Sequence, residues 1–432
     1  MRRRLSGFSD ATFSSLKVRN FKLFFAGQLV SQTGTWLTMI AQTLLVLKLT
    51  DSGIALGVLT ACQFLPVLLL GAWAGAVADR ADKRRLLTTL QVLAMLQSVA
   101  LGVMVFSDHA TLGWVYALAA VQGVITAFDN PTRRSFVVEM VPTDEVTNAV
   151  SLNSAVMTGS RVIGPALAGV LVIAFGFGWA FLIDAASYLA VIAGLLAMRD
   201  SELRRAPPTP RAKGQVRAGL RYVRGERRLF VPLVMMAIIG TLAFNFSVTI
   251  PLLVTRSLGG TDGTFTVLFS VLSLGSLIGA LWTARRDEVT ARQLVGSAGG
   301  FGLSLLALAA APSLLFAFPA GILVGVSSIA FMTSSTATVQ VLAAPEFRGR
   351  VLALQSMVFL GSTPIGGPIV GWVADLAGAR TAIVVGGLGC LVAAVYGARA
   401  LGVHGERDPD AAAVTAPTAP SPAHPARTLP PT

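Results

Sequence analysis

The chain has 432 residues, of which 54% are hydrophobic and only 13% are charged, whereas roughly 25% of the residues in a typical soluble domain are charged. Together with a mean hydropathy of +0.70, this composition excludes a water-soluble globular protein and predicts one that crosses a membrane several times. The formal net charge of +13 would suit a nucleic-acid partner, so the position of each basic residue has to be considered.

Apolar segments long enough to cross a hydrocarbon core, about 17–25 residues each, recur along nearly the whole chain. The sequence therefore predicts an all-α membrane protein embedded in the lipid bilayer. We number its twelve predicted transmembrane helices as spans 1 to 12, in the order 22–47, 53–78, 85–106, 112–130, 148–174, 178–198, 231–255, 264–283, 293–311, 313–338, 350–373 and 380–400.

The basic residues are distributed very unevenly between the two sides of these spans. Thirty of the 34 lysines and arginines fall on the side of the N-terminal arm, Lys48, Arg256 and Arg380 fall on the other side, and Arg161 lies within a span. The positive-inside rule then predicts a multi-pass protein of the cell membrane with both termini cytoplasmic. The basic charge thus reports topology rather than a nucleic-acid partner. The first apolar stretch is too long for a signal-peptide core and is expected to remain as span 1.

The sequence predicts no cofactor, no metal and no enzymatic activity. Cys62 and Cys390 lie in apolar segments of different halves, which argues against a disulfide or a thiol–metal site. The three histidines fall in loops or in the tail. The sequence contains no phosphate-binding Gly-x4-Gly-Lys-Ser/Thr motif, so ATP hydrolysis by this chain is not expected.

The chain contains an internal repeat. Residues 137–169 align without gaps on residues 339–371, with identical pairs such as Ser154/Ser356 and Gly164/Gly366. Such a parallel repeat predicts two homologous six-span halves. The expected organisation is an arm (1–21), an N-terminal bundle (22–198), a basic linker (199–230), a C-terminal bundle (231–400) and a disordered tail (401–432). Part of the linker has helical spacing and lies either on the membrane surface or in solution.

A basic motif joins spans 2 and 3, with the sequence Gly75-Ala-Val-Ala-Asp79-Arg80-Ala-Asp82-Lys83-Arg84-Arg85. Two six-span halves, a basic linker and this motif together resemble the major facilitator superfamily, over residues 17–400. The family motif is Gly-x-x-x-Asp-Arg/Lys-x-Gly-Arg-Arg/Lys-Arg/Lys, and Asp82 replaces its second glycine. The copy in the second half, near 279–286, lacks the acid.

The resemblance implies that this motif acts as a conformational latch. Asp79 would accept N–H groups at the N-terminus of span 11, near Arg350, where the helix dipole favours negative charge. Asp129 resembles the acidic partner of the motif's basic residue, so Asp79, Lys83 and Asp129 are the expected latch. The alternative is that Asp79 only stabilises a turn.

Span 5 carries a second signature, in which Gly159, Gly164, Pro165 and Gly169 lie on a helix. It resembles the Gly-x4-Gly-Pro-x-x-Gly-Gly pattern of drug:proton antiporters, with Ala168 in place of one glycine, and this resemblance implies export. Glycines at these spacings also let helices pack closely, and proline favours a bend. The arginine that the family often uses for proton coupling in span 4 is replaced by Ala119, so coupling must use another group.

Two charges lie deep inside the spans, Arg161 and Asp184. Charge in hydrocarbon is costly and is by default functional. Their depths differ by roughly 10 Å at 1.5 Å per residue, so a direct salt bridge is not expected. A carboxyl group in an apolar setting exchanges protons near neutral pH. Asp184 is therefore the candidate proton carrier, or else a structural hydrogen-bonded group. Arg161 is a candidate to bind an anionic substrate group or to modulate Asp184.

The resemblance implies that spans 1, 4, 7 and 10 line a substrate cavity. In span 1, polar residues share one helical face, which supports this independently. A polar but uncharged cavity suits a bulky amphiphilic molecule, although small polar residues also mediate helix packing. The candidates are Gln28, Gln32, Thr35 and Gln42 in span 1, Gln122 and Thr126 in span 4, Asn245 in span 7, and Thr333, Ser334 and Ser335 in span 10.

The segment from Phe128 to Glu139, expected to be a loop after span 4, is similar to the branch of the superfamily that contains enterobactin exporters and macrolide efflux proteins. The predicted function is export of an amphiphilic small molecule, such as an antibiotic, a siderophore or another secondary metabolite, by a monomer that exchanges it for protons. The alternatives are an uptake transporter and a membrane sensor or partner that does not transport.

Overall fold

The computed structural model of the chain describes residues 13–205, 215–284 and 290–403. The first residues of the predicted arm, the middle of the linker, the second copy of the basic motif at Arg285 and Arg286, and nearly all of the predicted tail lie outside these ranges. Within them, twelve long helical segments alternate in direction. We call the side that holds both ends of the described chain the terminal side, and the other the opposite side.

The twelve spans of the structure are, in order, Arg19–Thr50, Gly53–Arg80, Lys83–Phe106, Leu112–Met140, Val146–Phe175, Phe177–Leu196, Arg227–Ser257, Asp262–Ala284, Ala291–Ala310, Leu314–Leu342, Pro345–Ala377 and Ala379–Ala400. Short 3₁₀ turns occupy Ser14–Lys17, Thr143–Glu145 and Asp200–Glu202. Among the described helices, eleven are long and apolar enough to cross a membrane. Span 1 is long enough, at 32 residues, but its three glutamines make it more polar.

Local capping sets several helix ends. The Ser52 hydroxyl accepts a hydrogen bond from the Ala55 N–H at the start of span 2, and the Asp82 carboxylate does the same for Arg85 in span 3. These side chains satisfy N–H groups that the first helical turn leaves unpaired. Spans 5 and 11 both end at a glycine with positive φ, +82° at Gly176 and +90° at Gly378. The two glycines are also 202 residues apart, so the repeat extends beyond the identical residues.

The two halves have the same packing plan. In the N-terminal half, the helix pairs in contact are 1 with 5 and 6, 3 with 4 and 6, and 2 with 4. In the C-terminal half, the equivalent pairs are 7 with 11 and 12, 9 with 10 and 12, and 8 with 10. The two halves meet through spans 2 and 11 and through spans 5 and 8, which are equivalent under the repeat. The predicted fold, two pseudo-symmetric six-helix bundles, is confirmed.

The halves pack closely on the opposite side and separate toward the terminal side. Between spans 2 and 11, a methyl group at Gly57 or Gly371 would strike the backbone of the other span, while nearer the middle Gly361 lies against Leu68. One hydrophobic cluster runs through both halves. At the terminal side, the described residues form a separate cluster in each half, one around Phe136 and one around Val351.

Three elements differ from the predictions. Span 4 runs to Met140 rather than to 130, so the expected loop from Phe128 to Glu139 is helical, because its charged side chains find partners within the bundle. Span 7 is interrupted at Ala243–Asn245 and finishes in a π-helical turn, Leu253–Ser257. The linker contains a helix, Gln215–Gly225, whose Val223 is buried in the C-terminal half rather than facing lipid or water.

We expect Gly371→Val to destabilise the protein, because a side chain there would overlap the backbone of Gly53 and Ile54. Overpacking of this kind costs about 1–3 kcal/mol. The measurement is the Tm of purified protein in detergent. The matched control is Gly296→Val in span 9, where an added methyl group meets no atom within 4 Å. Equal Tm values for the two variants would contradict the close packing of spans 2 and 11.

Candidate functional site

The basic motif between spans 2 and 3 ties the terminal side of the N-terminal half together. Lys83 forms a 2.6 Å salt bridge with Glu139 at the end of span 4, and both side chains are largely buried. Arg84 donates to the carbonyl oxygens of Leu195 (2.7 Å) and Leu196 (2.9 Å) at the end of span 6. A cation is favourable there because the helix dipole ends negative. The motif therefore links spans 3, 4 and 6.

The expected pairing of Lys83 with Asp129 is wrong in this conformation. Lys83 pairs with Glu139, which the extension of span 4 brings opposite it. The other motif residues lie at the end of span 2, where Gly75 is buried, Asp79 is half-buried and Arg80 is exposed. Arg350, at the start of span 11, lies over the ring of Phe347, 5.1 Å from its centroid. The latch role of Asp79 stays a prediction.

Asp129 belongs instead to a buried polar network. Its carboxylate pairs with Arg133 one helical turn away and accepts a 2.8 Å hydrogen bond from Gln91 of span 3. Arg133 also donates to Gln28 of span 1, and Gln32 donates to the same amide oxygen at 3.2 Å. A buried ion pair of this kind needs such additional hydrogen bonds to offset its desolvation.

Asp184 is completely buried where spans 1, 3 and 6 meet. Its carboxylate accepts hydrogen bonds from the hydroxyls of Thr38 in span 1 (2.6 Å) and Ser98 in span 3 (2.8 Å). Ser187 approaches the other oxygen at 3.4 Å. Gly34 leaves the space for this arrangement, because a methyl group there would touch both Asp184 and Ser187. Among the described side chains, none forms a salt bridge with Asp184.

A line of polar groups leads from Asp184 to the terminal side. Tyr188 occupies the next turn of span 6, and its hydroxyl is 3.5 Å from that of Thr35 in span 1. Ser98 and Gln91 lie about 22 and 12 Å along span 3 from its first residue, at 1.5 Å per residue. Between Asp184 and the terminal side, the titratable groups on these helices are therefore Tyr188 and then the Asp129–Arg133 pair.

Arg161 is separate from Asp184. It is exposed at the middle of span 5, and its guanidinium carbon lies 5.7 Å from the centre of a Trp36 ring. Trp36 in turn approaches Phe269 of span 8 at 6.4 Å between ring centroids. A planar guanidinium over an aromatic face is a favourable cation–π arrangement. The absence of an Arg161–Asp184 salt bridge in the described structure agrees with the depth difference expected from the sequence.

The glycines of span 5 serve helix packing. A methyl group at Gly164 would collide with Trp36 of span 1, and one at Gly169 would collide with Thr266 of span 8 in the other half. Pro165 lies inside the helix, and Gly159 meets no neighbouring atom within 4 Å. The packing interpretation is therefore confirmed at Gly164 and Gly169, while the association with export stays a prediction.

The structure divides the substrate-cavity candidates between the two halves. Gln28, Gln32 and Thr35 belong to the polar groups of the N-terminal half described above. Gln42 accepts a 2.9 Å hydrogen bond from Gln63. Four buried amide oxygens find no partner among the described residues; they belong to Gln91, Gln122, Asn245 and Gln355.

In the C-terminal half, the break in span 7 places Asn245 among phenylalanine rings. Phe244 lies 5.2 Å from Phe301 and 5.3 Å from Phe359 between ring centroids. In span 10, Ser335 is buried and accepts a hydrogen bond from Gln355. Ser334 is also buried, whereas Thr333 is half-buried, as is Thr126 of span 4 in the N-terminal half. The candidates in the C-terminal half are therefore neutral, and phenylalanine rings cluster beside Asn245.

A polar clasp on the opposite side was missed by the sequence analysis. The carboxylate of Asp375, at the end of span 11, accepts hydrogen bonds from the N–H groups of Gly53 (2.7 Å) and Ile54 (2.9 Å) and from the Ser52 hydroxyl (2.9 Å). Arg256 of span 7 donates to the same carboxylate at 2.9 Å. The sequence offers one indication of this contact, namely that Asp375 is an acidic residue directly after an apolar segment.

The sequence comparisons decide the family. A model of the family described as transmembrane secretion effector matches residues 10–419. The chain belongs to this family of the major facilitator superfamily. It is therefore a transporter and not an enzyme.

Several curated relatives are transporters. The chain is 25% identical to the Staphyloferrin A transporter of Staphylococcus aureus over 60% of this chain and 66% of that protein, just under two thirds of its length. It is 28% identical to the uncharacterized MFS-type transporter YfiS of Bacillus subtilis, over 85% of this chain and 89% of that one. Macrolide efflux protein A of Streptococcus pyogenes is 23% identical, over 81% of this chain and 89% of that one.

Solved structures agree on the fold. A bacterial homolog of the human lysosomal transporter Spinster, in an inward-facing and unoccupied conformation, superposes with a TM-score of 0.70 at 15% identity, over 88% of this chain and 96% of that one. The nucleoside transporter NupG gives a TM-score of 0.69 at 13% identity, over 89% and 99%. At these identities the likeness extends to the fold alone.

We expect Asp375→Asn to weaken closure of the opposite side, because the variant loses the charge that holds Arg256 and the N-terminus of span 2. Hydrogen bonds to charged groups contribute about 1.5–3 kcal/mol, so the open population should rise roughly tenfold or more. The measurement is the spin-label distance between Asp108→Cys and Ser313→Cys, in a background free of native cysteines. The control is Asp144→Asn, an exposed acid on the terminal side. Unchanged distances with Asp375→Asn would contradict the clasp.

Proposed function

We propose that this transporter exports an amphiphilic small molecule across the cell membrane in exchange for protons. The terminal side is then cytoplasmic, in agreement with the basic residues concentrated there. The observation that carries the proposal is Asp184, a carboxyl group fully buried in the transmembrane region with hydroxyl donors and no cation partner among the described residues. The names of the macrolide efflux and multidrug efflux relatives support the direction of transport.

Asp184 suits a proton site because either protonation state can be accommodated. The ionised carboxylate keeps the hydrogen bonds from Thr38 and Ser98. The protonated form removes an unpaired charge from an apolar region, where charge is costly. The polar groups around Tyr188 and Arg133 offer a route to the cytoplasm. Thr38 of span 1 donates a hydrogen bond to Asp184, so protonation of Asp184 changes a contact of span 1. The same helix carries Trp36.

Transport follows the alternating-access scheme of a parallel two-repeat transporter. In the conformation described, the halves separate toward the cytoplasm, where substrate enters and Asp184 releases its proton. Closure of that side brings the end of span 2 toward the start of span 11, where Asp79 acts as the latch at the N-terminus of that helix. Opening of the opposite side breaks the Asp375 clasp, after which substrate leaves and Asp184 takes up a proton.

The direct test uses inside-out membrane vesicles with an acidic lumen. Addition of exported compounds should dissipate the proton gradient, and we would screen macrolides, siderophores and lipophilic cations. A protonophore should abolish the accumulation of a radiolabelled compound that is positive in the screen. Accumulation in right-side-out vesicles with an acidic exterior, driven by inward proton movement, would instead favour uptake.

We expect Asp184→Asn to lose proton-coupled transport while the protein stays folded, because the amide keeps the size of the side chain but cannot carry the proton. Gradient dissipation should fall to the level of empty vesicles. Any remaining substrate exchange should no longer depend on pH. Asp144→Asn is the matched control and should retain coupling. Full coupling in Asp184→Asn would exclude this residue as the proton carrier.

A further inference from the structure

The proposed function names the substrate only as amphiphilic, and the charge of the cavity allows a narrower statement. Arg161 lies one helical turn closer to the cytoplasm than Pro165, where the two halves separate. Its neighbours on the same stretch of span 5, Ser154, Met157 and Thr158, are also exposed. Across the gap, Ser356 and Met357 of span 11 are exposed as well. Because the Arg161 guanidinium lies over Trp36, whose ring approaches Phe269 of the other half, we place Arg161 beside the space between the halves.

The positive charge of Arg161 is not compensated by the protein. Among the described residues, its only recorded contact is with the Trp36 ring. The acids that lie deepest in the terminal half, Asp129 and Glu139, are already paired with Arg133 and Lys83. A charged residue within the membrane spans is rare, and where it faces a cavity between helices it marks a substrate or ion pathway. The missing counter-charge can be supplied by a ligand.

The surroundings of Arg161 also define what else the ligand carries. Trp36 and Phe269 give an aromatic surface shared by the two halves, and Met157 and Met357 are exposed at 38% and 37%. Methionine side chains adapt to apolar groups of different shapes. An arginine fixed on an aromatic ring retains a planar row of donors suited to a carboxylate or a similar anion.

We propose that Arg161 on Trp36 is the recognition site for an anionic group, and that the transported molecule is an amphiphilic anion. The carboxylate or equivalent group pairs with the guanidinium, and the apolar part lies against the aromatic rings and the two methionines. This inference rests on the proposed transport function and narrows its substrate class. It also predicts discrimination against cationic amphiphiles, which Arg161 repels.

Binding to purified full-length protein in detergent tests the proposal without any transport. The probe is fusidate, an amphiphilic monocarboxylate, compared with its uncharged methyl ester, and the signal is the part of the tryptophan fluorescence that Trp36→Phe removes. We expect saturable quenching by fusidate, with an affinity on the order of tenfold or more above that of the ester, as for a charge-assisted pair. Arg161→Gln should reduce the affinity for fusidate to that for the ester and leave the ester unchanged.

Two further variants keep the test interpretable. Arg161→Lys retains the charge but not the planar donors, so its affinity for fusidate should be intermediate, which also guards against misfolding of the Gln variant. Arg134→Gln removes an exposed arginine outside the cavity and should behave as wild type. Equal binding of fusidate and ester, no saturable binding of fusidate, or a preference that survives Arg161→Gln would each overturn the proposal. These results would leave the proposed export function untouched, because proton-coupled export of neutral or cationic compounds can still be measured in vesicles. Failure of the anion-recognition proposal is therefore distinguishable from failure of the export proposal.

Discussion

The free-energy cost of placing a charged group in hydrocarbon determines how the charged side chains of this protein are paired. In the bundle, Lys83 is neutralised by Glu139 and Asp129 by Arg133, and Asp375 is held by Arg256 together with the start of span 2. Among the described residues, the two charged groups deep in the spans that lack an opposite charge are Asp184 and Arg161. Charged residues within membrane spans mark ion and substrate pathways. We therefore propose Asp184 for the proton and Arg161 for an anionic group of the substrate.

The fold is symmetric but its chemistry is not. The two halves share helix contacts, interface helices and even the left-handed glycines Gly176 and Gly378. At the offset of 202 residues, however, Asp184 corresponds to Gly386 and Arg133 to Ser335, and the interiors of spans 7–12 carry no charged residue. The C-terminal half instead surrounds the break in span 7 with phenylalanines. The proposed proton site therefore lies in the N-terminal half, whereas both halves supply apolar contacts.

The twelve spans and the two homologous halves could be predicted from the sequence, because apolar composition indicates membrane spans and the spacing of glycines indicates the repeat. The depth of Asp184 followed from its position in span 6. The partner of Lys83 could not be predicted in this way. Arg133 and Glu139 are charged residues that follow an apolar segment, a pattern that predicts the end of a span, and only the structure shows that they are paired inside the bundle. The Asp375 clasp joins helices more than 300 residues apart in the chain, so no local pattern identifies it. The break in span 7 depends equally on tertiary contacts, since Gly366 of span 11 packs against Thr241 and Asn245.

The central claim is that the protonation state of Asp184 sets which side of the transporter is open. The most direct measurement is the spin-label distance across the terminal side, between Asp144→Cys and Glu346→Cys, in nanodiscs from low to high pH. Wild type should shift between a short and a long distance as pH changes, and the same protein carrying Asp184→Asn should hold one distribution at every pH. A pH-dependent shift that persists in the Asp184→Asn background would contradict the account.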